Sequence, residues 1–98
     1  MINELDIRTD DGLPMCYMCG RTHWIEHHHI FGGANRRLSE KYGLVVPLCH
    51  WCHNEPPNGV HHNRENMDKL QRAGQLLAME HYGWSEDEFR KIFGRSFL

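Results

Sequence analysis

The sequence predicts a small α+β domain in which a cysteine-rich finger is followed by C-terminal helices. The chain has 98 residues, and its four cysteines fall into two Cys-x-x-Cys pairs, a spacing typical of metal-bound fingers. Two short apolar runs, "HWIEHHHIF" and "LVVPLC", indicate strands. The last third of the chain carries apolar residues at helical spacing.

We expect a single domain over residues 1–98, because a chain of this length builds one modest core. Residues 1–13 are polar and acidic and are predicted to be an N-terminal tail. Residues 14–62 form the predicted finger, and residues 63–98 a helical extension.

The finger is expected to begin with a tight knuckle at "LPMCYMCGRT", in which Gly20 supplies the turn. The run "HWIEHHHIF" is the first predicted strand. The stretch "ANRRLSEKYG" is expected to be a loop with no more than one helical turn. In the second strand, "LVVPLC", Pro47 favours an edge position. Pro56 and Pro57 should quickly stop any helix that begins near Cys52.

Two C-terminal helices are predicted from their capping residues. Asn63 is a suitable N-cap for a helix that runs to about Tyr82. Ser85 and Glu88 have the spacing of a capping box at the start of a second helix, which Gly94 can end. Their apolar faces are expected to pack on the finger: Met67, Leu70, Ala73, Gly74, Leu77, Phe89, Ile92 and Phe93.

Charge and composition bear on compartment and partners. The formal net charge is −2, which permits a nucleic-acid partner without requiring one. The polar N-terminus does not resemble a signal peptide, and no run predicts a membrane span. We therefore expect a cytoplasmic protein with no membrane partner and with reduced thiols, where paired cysteines favour a metal over disulfides.

The cysteine pairs predict a structural zinc site, because two knuckles supply four thiolates at roughly 2.3 Å from a tetrahedral ion and leave no open position. A redox dithiol and unrelated buried cysteines are the competing interpretations. His50 or His53 is an alternative ligand in place of one cysteine. The expected zinc ligands are Cys16, Cys19, Cys49 and Cys52.

The histidines suggest a second metal site. Three consecutive histidines occupy positions 27–29, and His53 directly follows the second cysteine pair. Because the zinc site brings Cys19 near Cys49, it also draws His28 and His29 toward His53. Imidazole ligands with an open coordination position are typical of a catalytic metal.

The motifs "EHHHI" and "PLCHWCHNE" resemble those of the HNH, or ββα-metal (His-Me finger), endonucleases that carry an added four-cysteine zinc site. The resemblance covers residues 16 to about 62. More loosely, "GVHHN" is similar to small phage and prophage HNH nucleases. The resemblance implies a zinc-stapled ββα-metal finger and a metal-dependent DNA endonuclease or nickase. Such an enzyme hydrolyses phosphodiester bonds to leave a 5′ phosphate and a 3′ hydroxyl.

The resemblance also implies roles for individual residues. His29 matches the general base, which takes a proton from the attacking water. His28 and His53 match ligands of the catalytic metal. His61 is the expected third ligand by similarity to the phage nucleases, with His62 in reserve.

The sequence departs from the family pattern at two positions. Leu44 stands where the family has an asparagine, and Asn35 is a candidate for that bracing role. Pro57 stands at the usual third-ligand position and cannot coordinate a metal. On a straight strand, His27 rather than His28 shares a face with His29, so His27 at the metal would shift the assignment by one residue.

The expected cofactors are a structural Zn²⁺ and a catalytic Mg²⁺, Mn²⁺, Ni²⁺ or another divalent ion, with broad tolerance because imidazole suits Mn and Ni better than Mg. The expected partner is DNA, bound mainly through its phosphates by Arg36, Arg37 and Lys41. The protein is expected to act as a monomer or homodimer, in the cytoplasm of a bacterial host if it is phage-encoded.

Two rival functions remain open at this point. One is a non-catalytic, treble-clef-like zinc module that binds DNA or protein, whose histidines are incidental. The other is a metal-dependent ribonuclease or toxin. A second, exchangeable metal ion would separate the nuclease from the module, and a comparison of RNA with DNA would identify the ribonuclease.

Overall fold

The centre of the fold is a two-stranded antiparallel sheet in a computed structural model that describes Ile2 and residues 4–98. Strand β1 (Ile25–His29) pairs with strand β2 (Val45–Cys49) so that Ile25 lies opposite Cys49. Both strands were predicted, although β1 is shorter than the apolar run that indicated it. The domain is a small α+β structure, as the sequence predicts.

Helices surround this sheet along the chain. Two short 3-10 turns, Gly33–Asn35 and Val60–His62, precede α1 and α3 respectively. None of the helices in the described part of the chain is both long and apolar enough to cross a membrane. The helices are α1 (Arg36–Tyr42), α2 (His50–His53), α3 (Arg64–Tyr82) and α4 (Glu86–Phe93).

Helix α1 corrects the expectation of a loop in "ANRRLSEKYG". Its residues are mostly good helix formers, and Gly43 ends the helix at φ 74° with its N–H directed at the carbonyls of Glu40 and Ser39. The buried Ser39 hydroxyl donates to the carbonyl of Phe31 at 2.7 Å and accepts from its N–H at 3.0 Å. This long-range pair fixes α1 against the end of β1.

Helices α3 and α4 begin where their capping residues predicted. The Asn63 side chain accepts a hydrogen bond from the N–H of Asn66 at 2.9 Å. Ser85 and Glu88 form a complete capping box, and Gly94 ends α4 in the left-handed region. The predicted caps therefore lie at the starts of α3 (Arg64–Tyr82) and α4 (Glu86–Phe93).

The core lies between the sheet and the two C-terminal helices. Gly74 of α3 allows close packing on Ile30, the residue that follows β1, because a Cβ at Gly74 would lie 3.0 Å from Cγ2 of Ile30. Part of the predicted tail, 1–13, lies outside the described residues, but Ile2 and Leu5 are buried in the core. Other buried core residues are Ile30, Phe31, Leu44, Val46, Leu48, Val60, Leu70, Ala78, Phe89 and Phe93.

Candidate metal centres

The four cysteines converge on one point between the first knuckle and the junction of β2 with α2. Their sulfur atoms all lie within 4.8 Å of one another, and Sγ of Cys19 is 3.5 Å from Sγ of Cys49. Sulfurs bound to one tetrahedral zinc ion are separated by roughly 3.8 Å. The predicted cluster is therefore formed, and its donor set suits a metal such as zinc.

The thiols of this cysteine cluster differ in pKa. Burial opposes ionisation of Cys49, but hydrogen bonds from the backbone of Cys52 and from Cys19 outweigh it and lower the pKa of Cys49 to about 7. Burial raises the pKa of Cys52 and of Cys19. Nη1 of Arg21 lies 3.9 Å from Sγ of Cys49 and supplies a positive charge beside the thiolates that bind a metal.

A second cluster brings together His28, His53 and His61, which we call the histidine trio. Nε2 of His53 lies 3.2 Å from Nδ1 of His28 and 3.0 Å from Nε2 of His61. Ligands of one tetrahedral ion at about 2.0–2.1 Å are separated by roughly 3.3 Å. The trio therefore has the spacing of three ligands of a single ion.

The chain reaches this arrangement through β1, α2 and one tight turn. His28 lies on β1, His53 ends α2, and His61 lies on the 3-10 turn Val60–His62. The chain folds back at Gly59, where a Cβ would lie 2.7 Å from the backbone N and O of Glu55. No larger residue fits there without moving the backbone, so Gly59 is required to bring His61 over His53.

The burial of the trio is graded. His28 is buried, His53 is half-buried and His61 is exposed. An ion held by these three side chains would have solvent access on the His61 side. Open access of this kind distinguishes a reactive metal position from a closed structural site.

Two members of the trio, His28 and His61, have lowered pKa values, which favour the neutral imidazole. Burial, with the neighbouring His53 and His61, lowers the pKa of His28 to about 3. Burial also lowers the pKa of His61. Nε2 of His28 is buried without a hydrogen-bond partner among the described residues. A metal binds the neutral imidazole, so this environment suits a ligand.

Glu26 orients His53 and was not identified from the sequence. Its Oε1 accepts from Nδ1 of His53 at 2.8 Å and from the Asn54 amide at 3.0 Å. Burial opposes ionisation of Glu26, but hydrogen bonds from His53, His50 and Asn54 outweigh it and lower its pKa. A carboxylate on the outer nitrogen is the usual second partner of a metal-binding histidine, because it directs the other lone pair at the ion.

His29 ends β1 and faces the side of the sheet opposite His28, as strand alternation requires. Its Nε2 lies 3.4 Å from Oε1 of Glu40 on α1, without hydrogen-bond geometry. His29 is therefore adjacent to the trio in sequence but is not part of it. Glu40, like Glu26, is a neighbour that the sequence reasoning missed.

The remaining histidines lie outside the trio. His27 is exposed and pairs across the sheet with Pro47, so it lies away from the trio. His62 is exposed on the turn. His50 lies between Oε2 of Glu26 at 3.2 Å and Oε1 of Glu55 at 2.7 Å, outside the cysteine cluster.

The other residues singled out in the sequence lie away from the histidine trio. Leu44 is buried in the core. The amide of Asn35 donates to the carbonyl of Phe93 at 2.9 Å, so Asn35 braces α4 rather than the trio. Arg36, Arg37 and Lys41 are exposed on α1.

In the comparisons with known proteins, no family model, no curated protein and no solved structure matches this chain.

Proposed function

We propose that this protein is a metal-dependent DNA endonuclease or nickase built on a zinc-stapled ββα-metal finger. The observation that carries the proposal is the convergence of His28, His53 and His61 beside a separate four-cysteine cluster. A closed structural finger needs only the cysteines. Three further imidazoles at ligand spacing, open to solvent on one side, favour a second and reactive ion.

The histidine trio would hold the catalytic ion, and the four cysteines would hold zinc. A divalent ion held at the trio would supply positive charge that stabilises the negative charge developing on the phosphate and the leaving group. Glu26 fixes His53 for this role through the 2.8 Å contact at Nδ1. Because His28 is neutral, the lone pair of its Nδ1 is available to the ion, and no proton has to be displaced.

His29 would act as the general base on a phosphate held at the edge of the strand, because His28 and His29 lie on opposite faces of β1. Because its Nε2 is buried next to Glu40, Nδ1 is the nitrogen left to accept a proton from the attacking water. The Glu40 carboxylate would stabilise the imidazolium that results. Proton transfer of this kind contributes about 10²–10⁴-fold to a reaction rate.

The exposed cations of α1 would bind the DNA backbone. Helix α1 follows His29 closely in the chain, and Arg36, Arg37 and Lys41 project from it into solvent. Contacts of this type carry no sequence information and weaken as salt increases.

Cleavage of supercoiled plasmid by zinc-loaded protein tests the proposal. We expect nicked plasmid in the presence of Mn²⁺, Ni²⁺ or Mg²⁺, and a rate about 10²–10⁴-fold lower for His29→Ala. His27→Ala is the matched control, because His27 is exposed and lies on the same strand face as His29. The His27→Ala protein should cut plasmid at the wild-type rate.

Three results would contradict the proposal. Absence of cleavage with every ion by folded, zinc-loaded protein would leave a zinc-binding interaction module. Cleavage of RNA in preference to DNA would indicate a ribonuclease. Equal rates for wild-type and His29→Ala would mean that His29 is not the base.

A further inference from the structure

An aromatic surface lies beside the histidine trio, and the proposed function does not use it. Two indoles dominate this surface: Trp24 is 54% exposed and Trp51 is 39% exposed. Their ring centroids are 5.5 Å apart in an edge-to-face arrangement. We call Trp24, Trp51 and His50 the aromatic platform.

Contacts with neighbouring side chains fix the orientation of both indoles of the platform. The ring of His50 stacks on Trp24 with centroids 4.0 Å apart and planes 7° apart. The Arg21 guanidinium lies over Trp51, 5.1 Å from its centroid. These contacts hold two large rings in fixed orientations while leaving much of their surface in water.

Trp24 also has an unusual backbone. Its φ is 55°, and it is the one non-glycine residue with a positive φ in the described part of the chain. Bulky residues rarely adopt this conformation, which costs free energy. The N–H of His50 donates to the Trp24 carbonyl at 2.9 Å, and this hydrogen bond stabilises the backbone conformation of Trp24. The residue at this position carries an indole that is 54% exposed.

The platform is continuous with the histidine trio. His50 contacts Oε2 of Glu26 at 3.2 Å, and Oε1 of the same carboxylate contacts His53 at 2.8 Å. Three side-chain contacts, through His50 and Glu26, therefore connect Trp24 to the trio.

We propose that the aromatic platform stacks unpaired nucleobases of a DNA strand next to the scissile phosphate. Flat exposed rings beside a phosphate site are the usual means of binding single strands, because every base has a π-face. Paired bases in a duplex are not available to such rings. The inference rests on the proposed function and narrows its substrate to DNA with a single-stranded, frayed or branched segment.

The test measures binding rather than cleavage. A fluorescein-labelled 12-nucleotide strand and the same strand in a duplex are titrated with zinc-loaded protein, without added catalytic ion, and followed by fluorescence anisotropy. The key variant is Trp24→Gly, because glycine accepts the positive φ and so removes the ring without added backbone strain. Trp24→Tyr keeps a stacking ring, and Leu76→Ala removes an exposed apolar side chain of α3 that is 47% exposed.

We expect tighter binding of the single strand than of the duplex, and about 5- to 100-fold weaker strand binding for Trp24→Gly. Trp24→Tyr should retain most of the affinity, and Leu76→Ala all of it. Zinc content and circular dichroism establish that each variant is folded.

The platform and the nuclease can fail separately. If plasmid is cut but strand binding is unchanged in Trp24→Gly, or if the duplex binds more tightly, the platform is overturned and the nuclease stands. If strand binding depends on the Trp24 ring but neither plasmid nor the labelled strand is cut after Mn²⁺, Ni²⁺ or Mg²⁺ is added, the platform stands as a nucleic-acid surface and the nuclease is overturned.

Discussion

At the scale of single residues, Glu26 links the histidine trio to the aromatic platform. One carboxylate oxygen holds Nδ1 of His53 at 2.8 Å, and the other lies 3.2 Å from Nδ1 of His50. The first contact fixes the tautomer of His53, so that its Nε2 lone pair points at His28 and His61. The second contact orients the ring on which Trp24 stacks.

Substitution of Glu26 by glutamine tests the first of these roles. Glu26→Gln keeps the side-chain size but removes the charge that holds Nδ1 of His53. Loss of such a partner weakens metal binding about 10- to 100-fold. We expect this loss for Mn²⁺ or Ni²⁺ titrated into zinc-loaded protein by isothermal calorimetry.

The matched control for this titration is Glu55→Gln. Glu55 contacts Nε2 of His50 at 2.7 Å but makes no contact with His53 among the described residues. Its substitution should leave the affinity of the trio unchanged. Equal affinities for wild type and Glu26→Gln would show that Glu26 does not support a metal ligand.

Sequence reasoning selected the three histidines of the trio but missed Glu26. The signal for Glu26 was present, because Glu26 lies two residues before His28 and so shares its strand face. Glu40 gave no such signal, because only the packing of α1 on the sheet places it 3.4 Å from Nε2 of His29. Contacts within one element are visible in a sequence, whereas those between elements depend on the fold.

At the scale of elements, local signals explain which helices were predicted. Helix α3 begins at the cap that Asn63 supplies, and α4 begins at the Ser85 capping box. Both caps act over a few residues and can be found in the sequence. Helix α1 has no side-chain cap, and it is held instead by the Ser39 contacts with Phe31. Ser39 and Phe31 are eight residues apart and meet only in the fold, so the sequence did not reveal what holds this helix in place, although its residues favour a helix.

Contact between α3 and the residue that follows β1 supports the strand that carries His28. Ile30 follows His29 directly, and its side chain packs on Gly74 of α3. Substitution Gly74→Val would overpack this contact, because even a Cβ lies 3.0 Å from Cγ2 and 3.1 Å from Cδ1 of Ile30. We expect a decrease of about 1–3 kcal/mol in the free energy of unfolding, measured by urea denaturation.

Ala73→Val is the neighbouring control on the same helix. Ala73 is only half-buried, so its substitution should cost little more than the roughly 0.5 kcal/mol difference in helix propensity. A Gly74→Val protein as stable as Ala73→Val would mean that the contact with Ile30 is not tight.

At the scale of the whole molecule, the cysteine cluster joins segments that the core alone joins weakly. It connects the knuckle at residues 16–19 with the end of β2 and with α2, which also carries His53. A domain of this size gains little from apolar burial after conformational entropy is subtracted. The free energy of zinc binding is therefore expected to be part of the folding free energy.

Removal of zinc should unfold the finger and disperse the trio with it. Without the ion, nothing binds the four thiols, which lie within 4.8 Å of one another, to a common centre. Helix α2 then loses its connection to the first knuckle. We expect a strong chelator to abolish the cooperative thermal transition followed by circular dichroism, and added Zn²⁺ to restore it. Apolar residues of α3 and α4 should then bind a hydrophobic dye.

The response of His61→Ala separates the two metal sites in this experiment. His61 belongs to the trio but not to the cysteine cluster, so the variant should keep its zinc and melt like the wild type. Cys52→Ala should behave like chelated wild type, because three thiolates leave the structural site open. A chelated protein that still melts cooperatively at the original temperature would show that packing around Leu44, Val46 and Leu48 is sufficient to hold the fold.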